Sequence, residues 1–187
     1  MTASARPTQV TAAVSRLKAE IALNRDFTGL NEAAFLSLVW TWQRIDAMGR
    51  LIFPRFGITD AQFNVLMILW DYRGRTLRQH ELADILVVNR PSMGGVLERM
   101  ERGGWIVRAT DPEDRRAQHV ALSDAGIAKL NEVRGPYYRM LNQIFLDSDS
   151  GELPTLILFF DTVRARIAAI EGKEKKRLTR KASANGK

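Results

Sequence analysis

Residues 76–122 read TLRQHELADILVVNRPSMGGVLERMERGGWIVRATDPEDRRAQHVAL, and this stretch decides the fold. Thr76 stands three residues before Gln79, the capping-box spacing that opens a short helix. That helix is expected to end before Asn89. Asn89 then caps a second helix with Pro91 in its first turn, where a missing N–H costs nothing, and Gly103-Gly104 closes it. Two helices joined by a turn and followed by a basic hairpin form a unit suited to reading DNA.

At about 100° per residue, Met93, Val96, Leu97 and Met100 share one face of the second helix. Pro91, Ser92, Gly95, Glu98, Arg99 and Arg102 share the other. In a helix-turn-helix the apolar stripe docks on the body and the N-terminal part of the polar stripe enters the major groove. Taken alone, the same pattern equally describes a solvated helix face.

The next segment separates these readings. WIVRAT and RAQHVAL alternate like half-buried strands, and Asp111-Pro112 between them suits the first two positions of a type I turn. Arg115 and Arg116 are thereby placed beside the tip of a two-stranded wing. An isolated hairpin contributes little stability, so arginines at its tip are better explained by a partner than by folding. A narrow, electronegative minor groove is one such partner.

ELADIL, then NRPSMGGVLERMERGGWIVR, then DPEDRRAQHVALSDAG closely resembles the winged helix-turn-helix of the MarR family, regulators that bind DNA as homodimers. The resemblance is tightest over about fifty residues; the flanking helices, from roughly residue 31 to 171, follow the family plan more loosely. It implies a mostly α fold with a small β wing, in which a winged helix-turn-helix is joined to N- and C-terminal helices that form a dimerisation region. The residues expected against DNA are Arg78, Asn89, Arg90, Pro91, Ser92, Gly95, Arg99, Arg115 and Arg116. One departure stands out. Many relatives carry arginine or another polar side chain in mid-helix where this chain has Gly94-Gly95, at a cost of roughly 1 kcal/mol per glycine relative to alanine. Either the backbone comes close to DNA there, or base reading moves to Arg90, Ser92 and Arg99; a helix held by its neighbours would also tolerate the pair.

With 187 residues, 45% of them hydrophobic and 26% charged, the chain has the composition of an ordinary globular protein. The absence of cysteine excludes disulfides, thiolate metal sites and the peroxide sensing that some MarR relatives perform with cysteine. Net charge is +7, but residues 172–187 hold seven basic groups and one acid, which leaves +1 for everything before them. No apolar run approaches the ~20 residues of a membrane span, so a cytoplasmic location is expected.

In chain order, five parts are expected. Residues 1–30 are an extension with an amphipathic helix from about Thr8 to Leu23, since Val10, Val14, Leu17 and Ile21 recur at helical spacing. Residues 31–57 are a dimerisation helix capped by Asn31. Its Phe35, Leu38, Val39, Trp42, Ile45 and Ile52 make one apolar face, and Leu36, Trp40, Ala47 and Leu51 make a second. Residues 58–122 are the winged domain, opened by a Thr59/Gln62 capping box with a staple from Ile58 to Phe63. Residues 123–171 are dimerisation helices, the first capped by Ser123 and broken or bent at Gly135-Pro136, the last running from about Gly151 to Glu171. Residues 172–187 are expected to be a disordered basic tail.

No arrangement of an enzyme active site appears, and no cofactor is expected. His80 and Asp84 at i, i+4 lack further ligands at usable spacing, so no metal site is assigned. The resemblance implies that a small aromatic or phenolic ligand enters a crevice between the winged domain and the dimerisation helices. Trp40, Arg44, Met48, Phe53, Phe63, Asn64 and Met67 have the chemistry to line it, or are simply core. Urate-responsive relatives use an acidic residue near the place of Asn64, so urate is not the expected effector. The partners expected are thus double-stranded DNA, a second copy of the chain and a small aromatic effector. The competing readings are a winged-helix module that binds protein, and a constitutive DNA binder without effector.

Overall fold

The computed structural model describes residues 7–86, 90–110, 118–145 and 151–185, the side chains of 90–92 and 180–185 excepted. The described elements are α1 (Pro7–Glu20), α2 (Leu30–Ile52), a 3-10 turn (Phe53–Phe56), α3 (Asp60–Asp71), β1 (Leu77–Arg78), α4 (Gln79–Leu86), α5 (Arg90–Arg102), β2 (Ile106–Thr110), β3 (Gln118–Leu122), α6 (Asp124–Ile144) and α7 (Glu152–Asn185). The fold is mostly helical with one small antiparallel sheet, and the described residues divide into a first unit ending at Met140 and a second beginning at Leu141.

In the first unit a single core draws on nearly every element. Phe53 and Ile58 meet Phe63, Val65, Leu66 and Leu69 of α3, Leu77 of β1, Leu82 and Ala83 of α4, Met93, Val96, Leu97 and Met100 of α5, Ile106 and Val120 of the sheet, and Leu130 and Val133 of α6. The core therefore runs across the boundaries that the sequence drew at 57/58 and 122/123. At the start of α3 the Thr59/Gln62 capping box forms in both directions, and Ile58 and Phe63 are both buried as a hydrophobic staple requires.

Two other helix starts differ from the sequence reading. Asn31 lies inside α2, whose cap is Gly29 with no side-chain bond; the Glu32 carboxylate instead reaches back to the Thr28 N–H at 2.7 Å. Thr76 does not cap α4. Residues 77–78 pair with β3 as a strand, Leu77 opposite Val120 and Arg78 opposite His119, and the Thr76 hydroxyl meets His119 Nδ1 at 2.9 Å. The α4 start is served by Glu81, whose carboxylate accepts the Arg78 N–H at 2.6 Å. Buried Leu77 sends this segment into the sheet, so the wing belongs to a three-stranded sheet of order β1-β3-β2 rather than to a lone hairpin.

α1 starts at Pro7 and ends at Glu20, three residues short of the predicted end. It packs on α2 with Leu17 buried, and Glu20 accepts a hydrogen bond from Trp40 Nε1 at 2.8 Å. Following β3, Ser123 caps α6 by accepting the Gly126 N–H at 3.0 Å. α6 does not break at Gly135-Pro136. Proline removes one backbone bond, but Leu130, Val133 and Met140 are buried on both sides of it and carry the helix through.

The second unit is dominated by α7. The helix does not stop at Glu171 and continues through the predicted disordered tail to Asn185. Lysine, arginine and glutamate are good helix formers, and Gly172 is the one intrinsic breaker between 171 and 185, too little to end a helix already propagating. Among the described residues no helix is long and apolar enough to cross a membrane.

Candidate nucleic-acid interface

α5 is held by the face the sequence assigned to the body. Met93, Val96, Leu97 and Met100 are all buried, while Glu98, Arg99 and Arg102 are exposed. The helix ends in a Schellman turn: Gly104 takes φ +72°, its N–H bonds the Glu101 carbonyl at 2.9 Å, and the Trp105 N–H bonds the Met100 carbonyl at 2.9 Å. A left-handed residue is needed at that point, which is why the second glycine of Gly103-Gly104 marks the end.

Gly94 and Gly95 lie within α5. A Cβ at Gly94 would meet only Gln79 Nε2 at 3.8 Å, and one at Gly95 only the Arg99 guanidinium at 3.5 Å. Both are ordinary contacts with the far ends of flexible side chains. Packing inside the chain therefore does not require either glycine.

Of the residues expected against DNA, Gly95 and Arg99 fall on the stripe opposite the buried face of α5. Arg90, Pro91 and Ser92 belong to the first turn of the same helix, their side chains lying outside the described residues. Arg78 is placed elsewhere, in β1 at the start of α4. Asn89, Arg115 and Arg116 lie outside the described residues, as does the Asp111-Pro112-Glu113-Asp114 turn.

The wing is fastened by a residue that the sequence pattern does not single out. Arg108, in the middle of β2 and opposite Val120, donates from Nε to the Glu101 carboxylate at 2.8 Å and from Nη1 to Gln118 Oε1 at 3.1 Å. It ties the last turn of α5 to both wing strands. Its one signal in the sequence is a charged residue inside the otherwise apolar-alternating IVRAT run.

The seven residues proposed for a ligand crevice do not form one set. Phe53 and Phe63 are buried with ring centroids 5.1 Å apart, and Tyr137 of α6 closes on both at 6.3 and 4.7 Å. Burial raises the Tyr137 phenol pKa above the usual value. Trp40 is engaged with Glu20 of α1, Met67 packs half-buried on the core, and Arg44, Met48 and Asn64 are exposed. His80 is exposed, and among the described residues no group of three acidic or histidine side chains could hold a metal ion.

A family model described as "MarR family" matches residues 58–117, from the start of α3 to the edge of β3. The transcriptional repressor YetL of Bacillus subtilis is 26% identical over 110 residues, covering 59% of this chain and 66% of the relative. The homoprotocatechuate degradative operon repressor of Escherichia coli is 30% identical over 95 residues, covering 51% of this chain and 63% of the relative. The chain thus spans less than two thirds of the length of either relative. The structure of a mutant MarR from E. coli complexed with operator DNA matches with TM-score 0.65 over 74% of this chain and 99% of the other; at 23% identity this likeness bears on fold alone. Over residues 58–117, the winged helix-turn-helix, this chain is similar to the MarR family.

Proposed function

We propose that this chain is a transcriptional regulator that binds a pseudo-palindromic DNA operator as a homodimer, represses, and is released by a small aromatic or phenolic ligand. The observation that carries the DNA part is the division of α5. One stripe is consumed by the core, and the opposite one leaves Gly95, Glu98, Arg99 and Arg102 to a partner, with the arginine-bearing 111–117 segment following in the chain. Arg99 and the first-turn residues Arg90 and Ser92 address bases, Arg115 the minor groove and Arg116 phosphate. Repression is the activity for which both relatives are named.

The homodimer reading is supported by large apolar side chains that the single chain leaves exposed. On α2 these are Phe35, Leu38, Trp42 and Leu51, and on α7 Ile157, Leu158, Phe159, Ile167 and Ile170. The ligand reading draws on those crevice candidates that core packing does not consume: Arg44 as a fixed charge, with Trp40, Met48, Asn64 and Met67.

The test starts with duplexes retained from a random pool, together with the promoter of the chain's own gene. Binding is followed by fluorescence anisotropy across salt concentrations and then in the presence of phenolic acids. The expected outcome is tight, salt-dependent binding to sites with half-sites about 10 bp apart, reversed by at least one phenolic acid. Binding that no phenolic acid reverses would leave a constitutive DNA binder. Absence of salt-dependent binding to any duplex would leave a module for protein partners.

A further inference from the structure

We propose that residues 173–181 of α7 form a second DNA-binding surface, a one-sided basic helix that takes backbone phosphates of the duplex without reading sequence. The inference rests on the DNA-binding reading of the winged domain and adds to it a separate site for the electrostatic part of the affinity.

The distribution of charge comes first. Residues 172–187 carry net +6 and all the preceding residues together +1, so attraction to a polyanion is concentrated in the last sixteen residues and not in the winged domain. The second observation is structural: this segment is helix, continuous with the rest of α7 to Asn185. Positions 173, 176, 177, 180 and 181 are all basic and recur at i, i+3, i+4, i+7 and i+8. At 100° per residue that spacing gathers them into one face about 140° wide, and at 1.5 Å rise it spreads them over about 12 Å. Glu174 and Lys175 fall off that face. In a coil the same residues would have no fixed side and would lose more conformational freedom on meeting a ligand.

Lys173, Lys176 and Arg177 are exposed. Arg177 pairs with Glu174 at 3.5 Å, but both partners are more than half exposed, so the pair is readily exchanged for a phosphate. The composition of the other faces selects among polyanions. A helix that lies on a membrane needs a broad apolar face opposite its charges, and between 172 and 185 this one offers a single large apolar residue, Leu178. A surface that is basic on one side and small or polar on the others matches a phosphate backbone, which attracts charge and demands no apolar burial.

The test uses the full chain and a variant with Lys173, Lys176, Arg177, Arg180 and Lys181 each changed to Gln, a residue that keeps helix propensity. Lys175→Gln is the off-face control. Each protein is titrated with salt on a selected duplex and on a scrambled one. The expected result is that the five-site variant weakens on both duplexes by the same factor, and that its slope of log K against log [salt] flattens by about 0.9 for each phosphate it no longer neutralises. The control should keep a slope within about 0.9 of that of the full chain. An unchanged slope in the variant overturns this inference while leaving the winged domain as the DNA reader. A collapsed ratio of selected to scrambled affinity overturns the claim that the surface ignores sequence. Loss of binding to phosphatidylserine vesicles with DNA binding intact would assign the face to lipid instead. A full chain that binds neither duplex at low salt overturns the DNA reading and this inference together.

Discussion

The bare Cα of Gly126 lies against the Trp105 carbonyl, so closely that an added Cβ would stand 1.9 Å from that oxygen. The same carbonyl accepts the Ser123 N–H at 3.1 Å. The first turn of α6 is therefore hung on the residue that follows the end of α5, and only glycine leaves room for it. Gly126→Ala would gain about 1 kcal/mol of helix propensity, yet the obstruction is backbone and must be relieved by moving one helix. A net destabilisation of about 2 kcal/mol or more is expected. Urea unfolding should show a lower midpoint at unchanged m-value, and an undiminished midpoint would mean the junction yields easily.

Arg108 and Glu101 should be coupled in the same sense. Their ion pair is partly shielded, with the Arg108 side chain 16% exposed, and it is reinforced by the bond to Gln118. A double-mutant cycle with Arg108→Ala and Glu101→Ala should give a coupling of about 1 kcal/mol in stability. Because the pair links α5 to the wing strands, Arg108→Ala should also weaken DNA binding by more than this stability loss explains. Equal DNA affinity in wild type and Arg108→Ala would confine the pair to a structural role.

Much of this is legible in the sequence, and the failures share a cause. The buried stripe of α5, the Thr59/Gln62 box and the Ser123 cap depend on residues within a turn of one another, and local spacing suffices for them. Thr76-Leu77-Arg78 has the local signature of a helix start, but its decisive partners, Val120 and His119, lie more than forty residues away. Phe53 and Phe63 have the chemistry of a crevice lining, and nothing local announces that Tyr137 of α6 packs against both rings. The end of α7 has the apolar poverty of a tail. Helix propensity and continuity with the preceding turns are the stronger influences there.

The Arg25–Glu32 pair gives a pH signature to the link between α1 and α2. Two guanidinium hydrogen bonds from Arg25, then the Thr28 N–H, hold the Glu32 carboxyl at a pKa of about 2, down from 4.5. A carboxylate depressed in the folded state stabilises it fully above the unfolded pKa, and that contribution is lost as pH falls through 4.5 toward 2. Glu32→Gln should therefore remove the part of the acid sensitivity that arises in this window. An NMR titration of Glu32 with a midpoint near its ordinary value would show that the contacts do not hold in solution.

Phe35, Leu38 and Trp42 recur at i, i+3 and i+7 along α2, with Phe35 63% and Trp42 65% exposed in the single chain. Covering side chains of this kind contributes about 1.5–3 kcal/mol each. Light scattering should accordingly report twice the chain mass of 21.1 kDa at micromolar concentration. Phe35→Glu with Trp42→Glu should shift the protein to monomer and lower affinity for a two-half-site duplex far more than for a single half-site. A wild-type monomer with full operator affinity would remove the dimer from the mechanism.

Gly95 offers the sharpest separation of folding from function. It lies in α5 on the stripe opposite Met93, Val96, Leu97 and Met100, and a Cβ there would meet only the mobile end of Arg99. Gly95→Ala should therefore stabilise the protein by about 1 kcal/mol, through helix propensity and a less flexible unfolded chain. If the α5 backbone approaches DNA at this point, the added methyl should obstruct it and weaken specific binding by roughly 1–3 kcal/mol, giving a protein that melts higher and binds its operator less well. Gly94→Ala is the companion measurement: a Cβ there is equally tolerated, facing Gln79 rather than the outer stripe, so stability should rise with operator affinity little changed. Affinity unchanged in both variants would mean that neither glycine serves close approach, and that base reading rests on Arg90, Ser92 and Arg99.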